Sequence, residues 1–168
     1  MRPVVLLVPA LLAGASAAPA HLPDDDRSQI AELAHTYLQR RAAKVTDEPQ
    51  VSGFGVPAAP ALATRLAGHE AALGAARASA VTRYRTAVVR TRAERFHADQ
   101  TGRTVVARVH EHTELHFAEP SPVPHTAYGL SHLLTFARDG KGWVLTDVAL
   151  GHYKHCALLP ETQRPSEC

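Results

Sequence analysis

From Val105 to Phe117 the chain alternates strictly. Val105, Ala107, Val109, Glu111, Thr113, Leu115 and Phe117 take every second position, with mostly charged or polar residues between them. A period of two is the mark of a half-buried strand. Tyr128, Leu130, His132, Leu134 and Phe136 repeat the pattern. Antiparallel pairing across a loop at Ala118–His125 predicts a register that matches Val109 with Leu134, Thr113 with Leu130 and Leu115 with Tyr128. The same register sets Glu111 opposite His132, both pointing to the core side. A carboxylate and an imidazole on a buried face are either a satisfied structural bridge or a site.

The other segments build around this hairpin. Asp26 followed by Gln29 resembles a capping box, and Ile30, Leu33, Ala34, Tyr37 and Leu38 form an amphipathic stripe. They predict a helix running to about Lys44. Thr46–Ala59, with Pro49, Gly53, Gly55 and Pro57, reads as a flexible connection. A second helix starts near Pro60, with Leu62, Leu66, His69, Leu73, Ala76 and Ala80 on its apolar side. Four strands follow: Thr82–His97, Arg103–Phe117, Thr126–Arg138 and Trp143–Leu150. Asp139-Gly140 with Gly142 gives the last tight turn. Two helices ahead of a four-stranded meander can cover only one of its faces, an α+β layout. If Phe136 faces Trp143, Asp147 faces His132 and the imidazole sits between two acids.

Arg2, the apolar Val4–Leu12 and Ala15-Ser16-Ala17 read as a secretory signal peptide, residues 1–17, cleaved after Ala17. The apolar stretch is shorter than the roughly 20 residues that span a bilayer. Residues 18–150 then form one α+β domain and 151–168 a C-terminal tail. Cys156 and Cys168 both lie in that tail, and outside the cell they are expected to pair as a disulfide. The leader removes one of 18 basic residues, against 16 acidic ones. That near-balance argues against nucleic acid as a partner. The preference for arginine over lysine, with abundant alanine, points to a GC-rich bacterial genome.

Two helices and a curved meander resemble the NTF2-like cone fold, also called SnoaL-like or cystatin-like. More narrowly, three runs are similar to the N-terminal domain of secreted actinobacterial proteins that carry an amidase-like domain. They are Glu111-His112-Thr113-x-Leu115, the run from Thr126-Ala127-Tyr128 through Leu130, His132 and Leu134 to Thr135-Phe136, and Gly142-Trp143-x-Leu145. The resemblance covers about residues 25–150. It implies an accessory domain with its sheet's concave face beneath the helices. No Cys/His catalytic block follows the fourth strand in this sequence, so amidase activity is not expected to carry over.

Glu111 and His132 are the candidate catalytic pair, since an acid beside an imidazole raises its pKa and fixes its tautomer. Thr113, Tyr128, Asp147 and His69 are the candidate pocket groups. His69 is either a core-edge histidine with one partner or a pocket group. His110 and His112 sit on the opposite face in an H-x-H arrangement suited to zinc or copper. His116 lies about 13 Å beyond His112 along the strand, too far to share the ion. His152 and His155 beside Cys156 form a small tail cluster. The basic first strand splits its arginines between both faces and reads as a solvated edge that discourages aggregation.

The expectation is a secreted, non-catalytic binding or interaction domain. Its partner is an extracellular or cell-wall component or a small ligand, no cofactor is implied, and the state is a monomer or weak dimer. A cofactor-free acid–base enzyme of isomerase or dehydratase type, using Glu111 and His132, is one alternative. A metal-binding surface at His110 and His112 is another.

Overall fold

A computed structural model describes residues 21–140 and 142–151. The expected leader (residues 1–17), Cys156 and Cys168, and the tail histidines lie outside the described residues. The order is α1 (Asp24–Ala43), α2 (Pro60–Ser79), β1 (Tyr84–Ala98), β2 (Thr104–Phe117), β3 (His125–Asp139) and β4 (Gly142–Leu150). The strands form one antiparallel sheet in the order β1-β2-β3-β4. The α+β layout is therefore as expected, with β1 and β4 at the edges. Among the described residues no helix is long and apolar enough to cross a membrane.

Alternation sets the two faces. Val105, Ala107, Val109, Leu115, Tyr128, Leu130, Leu134 and Phe136 are all buried, together with Trp143 and Leu145. Most of them pack against Ile30, Ala34, Tyr37 and Leu38 of α1 and Leu62, Leu66 and Leu73 of α2. The helix stripes and the strand face thus bury one another in a single layer contact.

Asp26 does not cap α1. The helix begins three residues earlier than such a cap implies, at Asp24, with Pro23 at the N-cap position and no side-chain cap. Asp24, Asp25 and Asp26 all fall in the first turn, where the helix dipole favours negative charge. Asp26 turns instead to the sheet, pairing with Arg138 and accepting the Trp143 indole N–H at 3.1 Å.

The β2–β3 register is shifted by two residues from the expected one. Phe117 N–H donates to the Pro124 carbonyl and His116 pairs with His125, so the hairpin closes earlier. Glu111 lies opposite Leu130, and His132 opposite Val109. An even shift leaves every side chain on its expected face, and Glu111 and His132 become diagonal neighbours.

The third hairpin departs more. Asp139 pairs with Gly142 and Phe136 with Leu145, and then a bulge interrupts the ladder. Thr146 is the extra residue, and its hydroxyl donates to the Thr135 carbonyl at 3.1 Å. Beyond it Asp147 pairs with Thr135, and His132 with Leu150. Asp147 therefore does not flank His132.

The 44–59 connection is anchored rather than loose. Thr46 bridges to Tyr84 of β1 and Ala58 to Leu145 of β4, so the segment is tied to one edge of the sheet at its start and to the other at its end. Phe54 is buried 5.5 Å from the Tyr37 ring. Gly53 and Gly55 adopt φ of 73° and 72°, the left-handed turn that lets the loop fold back under α2. Lys44 caps it from below, bonding the Val51 carbonyl and pairing with Glu70.

Candidate functional site

Glu111 has none of its surface exposed, and every neighbour that reaches it donates. Thr113 Oγ1 donates to Oε1 at 2.6 Å, and the Tyr128 hydroxyl to the same oxygen at 3.2 Å. His132 Nε2 lies 2.6 Å from Oε2, and Arg41 Nη1 lies 3.5 Å from it. Thr113 reaches it because residues two apart share a strand face; His132 and Tyr128 reach it diagonally, two residues to either side of Leu130, which lies across from Glu111. Arg41 comes from the last turn of α1.

Burial alone would push the Glu111 pKa up. The His132 hydrogen bond, the Arg41 charge and the Thr113 hydroxyl outweigh it, and the carboxyl is held below its ordinary value. Glu111 is thus an anion at neutral pH. For His132 the balance runs the other way. Burial lowers its pKa more than the Glu111 carboxylate raises it, and Arg41 lowers it further. The acid raises the imidazole pKa, as expected, but burial outweighs it. His132 is neutral at pH 7. Its Nε2 must carry the proton to satisfy the carboxylate, leaving Nδ1 as the unprotonated nitrogen. Tyr128 stays protonated, its phenol pushed up by burial and then by the Glu111 charge.

A cavity of about 220 Å³ opens beside His132. Tyr37 and Arg41 of α1, Leu62, Arg65, Leu66 and His69 of α2, and Val148, Ala149 and Leu150 of β4 complete its lining. Glu111, Thr113 and Tyr128 stand behind His132 and do not line it. His69 is a wall group, stacked on Phe54 with ring centroids 6.1 Å apart. Its pKa is lowered by burial and then by the Arg41 charge. Asp147 acts at one remove, pairing with Arg65 of the cavity wall at 2.8 Å.

Arg41 is the residue of this cluster that the sequence reading missed. It continues the α1 stripe, four residues after Tyr37 and seven after Ala34. A cation on an apolar stripe, in a chain with an acid on a buried strand face, is the signal that would have found it.

The outer face carries a second cluster. Glu114, His116 and His125 place one ligand atom each within 4.8 Å of one another, the one such group of three among the described residues. His110 and His112 do not join it. The His110 ring packs where a side chain at Gly129 would stand, and His112 Nε2 faces Glu114 Oε1 at 3.5 Å.

No family model matches the chain, and neither a curated protein nor a solved structure matches it.

Proposed function

We propose that this chain is a secreted binding domain of the NTF2-like type, whose ligand is a small molecule with an acidic head and an apolar body. The observation that carries the reading is the cavity beside His132. Leu62, Leu66, Val148 and Leu150 supply apolar lining, while Arg41, Arg65, His69 and His132 supply hydrogen-bonding groups. Its volume is below the roughly 300–1,000 Å³ of ordinary small-molecule sites, so the occupant is small. Two cationic side chains and two neutral imidazoles favour a carboxylate over an ammonium group. The helix pair over one face of a four-stranded meander supports the cone reading, and the leader-like residues 1–17 support the location.

The experiment is a titration with benzoate and butanoate, read by NMR at the ring protons of His132 and His69. Saturable shifts at millimolar ligand are expected, and they are lost in Leu150→Trp, which fills the cavity mouth from a half-exposed position. Shifts that fail to saturate, or that persist unchanged in that variant, would reject the site.

A second reading, a cofactor-free acid–base enzyme, draws on one specific feature. Glu111 fixes the His132 tautomer, so an unprotonated Nδ1 is held in place as a base. In that case His132 handles the proton and Glu111 is a positioning residue, since it reaches no substrate. Turnover of a bound compound that survives in His132→Gln would rule this reading out.

A further inference from the structure

We propose that Glu114, His116 and His125 form a zinc site on the outer face of the sheet, at the loop end of the β2–β3 hairpin. This stands apart from the ligand cavity, on the opposite face and on different residues.

Three observations converge on it. His116 and His125 are directly paired across the two strands, with ring centroids 5.2 Å apart. Glu114 precedes His116 by two residues on the same face, and its Oε2 lies 3.8 Å from His116 Nε2. Arg90 donates to the other carboxylate oxygen at 2.6 Å, which neutralises part of the charge and fixes the carboxylate's orientation. Oε2 is the oxygen turned toward His116, while His112 Nε2 faces Oε1 at 3.5 Å. All three residues are half-buried, so their side chains are steered by the strand surface yet reachable from solvent.

Two imidazoles and one carboxylate oxygen are the donor set of borderline divalent ions. Calcium and magnesium instead demand oxygen-rich shells. Zinc bonds of about 2.0–2.1 Å in a tetrahedron need ligand atoms about 3.4 Å apart. The present spread of up to 4.8 Å closes by roughly 1.4 Å, within reach of side-chain torsions alone. Three protein ligands leave the fourth position to water or to a group from a partner. The ion would also tie the ends of β2 and β3 on either side of the loop.

Zinc titration of the full chain by calorimetry, followed by cobalt substitution, tests this. One equivalent should bind to the intact protein, and Co²⁺ should give the visible absorption of a four-coordinate N/O site. His116→Ala and His125→Ala should each weaken zinc by about tenfold or more. His110→Ala should leave it unchanged. Circular dichroism of each variant without zinc checks that the fold persists, and His125→Gln repeats the test with a similar volume. The tail residues His152, His155 and Cys156 are the rival ligands. Zinc binding that survives in His116→Ala with His125→Ala, and is lost in His152→Ala with His155→Ala, overturns the proposal. So does the absence of binding at micromolar zinc.

Discussion

Glu111 is a full negative charge with no exposed surface, and that is costly unless donors surround it. Four side chains do so, and only one of them, Arg41, brings a compensating charge. Replacing Glu111 by Gln keeps the volume but removes the negative charge that faces Arg41 and turns an acceptor into a donor toward Thr113 or Tyr128. Breaking a buried pair from one side costs about 3–5 kcal/mol. Urea unfolding of Glu111→Gln should show a loss of that size, against a much smaller one for Thr113→Val. A loss below about 1 kcal/mol would mean that the carboxylate is not the anchor of the core. The acid and its imidazole were legible in the sequence because alternation alone assigns faces. Their charge states were not, because the sign of the His132 shift depends on how completely the helices cover it and on Arg41.

Hairpins and helix ends fix how these residues meet. The β2–β3 register was legible to its face but not to its count. Face follows from the two-residue period, whereas count follows from where the loop closes, here a bond from Phe117 to Pro124 that leaves His125 in the strand. His125 was read as loop for that reason, and its grouping with Glu114 and His116 went unseen with it. The β4 bulge is likewise silent in the pattern, since Thr146 is a strand-compatible residue either way. At the far end, Asp26 joins α1 to the β3–β4 hairpin by pairing with Arg138 and accepting from Trp143, whose ring also lies 4.5 Å from the Arg138 guanidinium. Trp143 is the single tryptophan in the chain, so its fluorescence reports this joint alone. Asp26→Ala should shift its emission to the red and cost about 1 kcal/mol for the lost indole hydrogen bond. Unchanged emission would show that the indole is held by packing and not by α1.

The whole molecule responds to acid through the groups that its layers bury. His132 and His69 are both held below 6.5 and are neutral in the folded state. Once the chain unfolds, each regains its ordinary affinity for a proton. Between its folded value and 6.5 the unfolded chain therefore binds more protons, and stability rises with pH. The contribution is present above 6.5 and is lost as the pH falls through the folded values. Glu111, held below 4.5, has the same sign and adds a second loss at lower pH, as its carboxylate protonates and releases His132 and Arg41. The slope is bounded at about 1.4 kcal/mol per pH unit for each proton taken up. Urea midpoints measured from about pH 8 to pH 4 should be flat at the alkaline end and fall steadily below 6.5. His132→Gln should start lower and fall less steeply between about pH 6.5 and pH 5, because one of the two histidine protons is gone. The anchored 44–59 connection makes this a global effect. It ties Phe54, which stacks on His69, to Tyr37 beside Arg41, and Ala58 to the β4 edge. Protonation at the cavity wall therefore strains the loop and both helices together, and unfolding should remain a single transition at every pH. A separate early transition at acid pH, with Trp143 emission unchanged, would place the histidines in a part of the molecule that opens on its own.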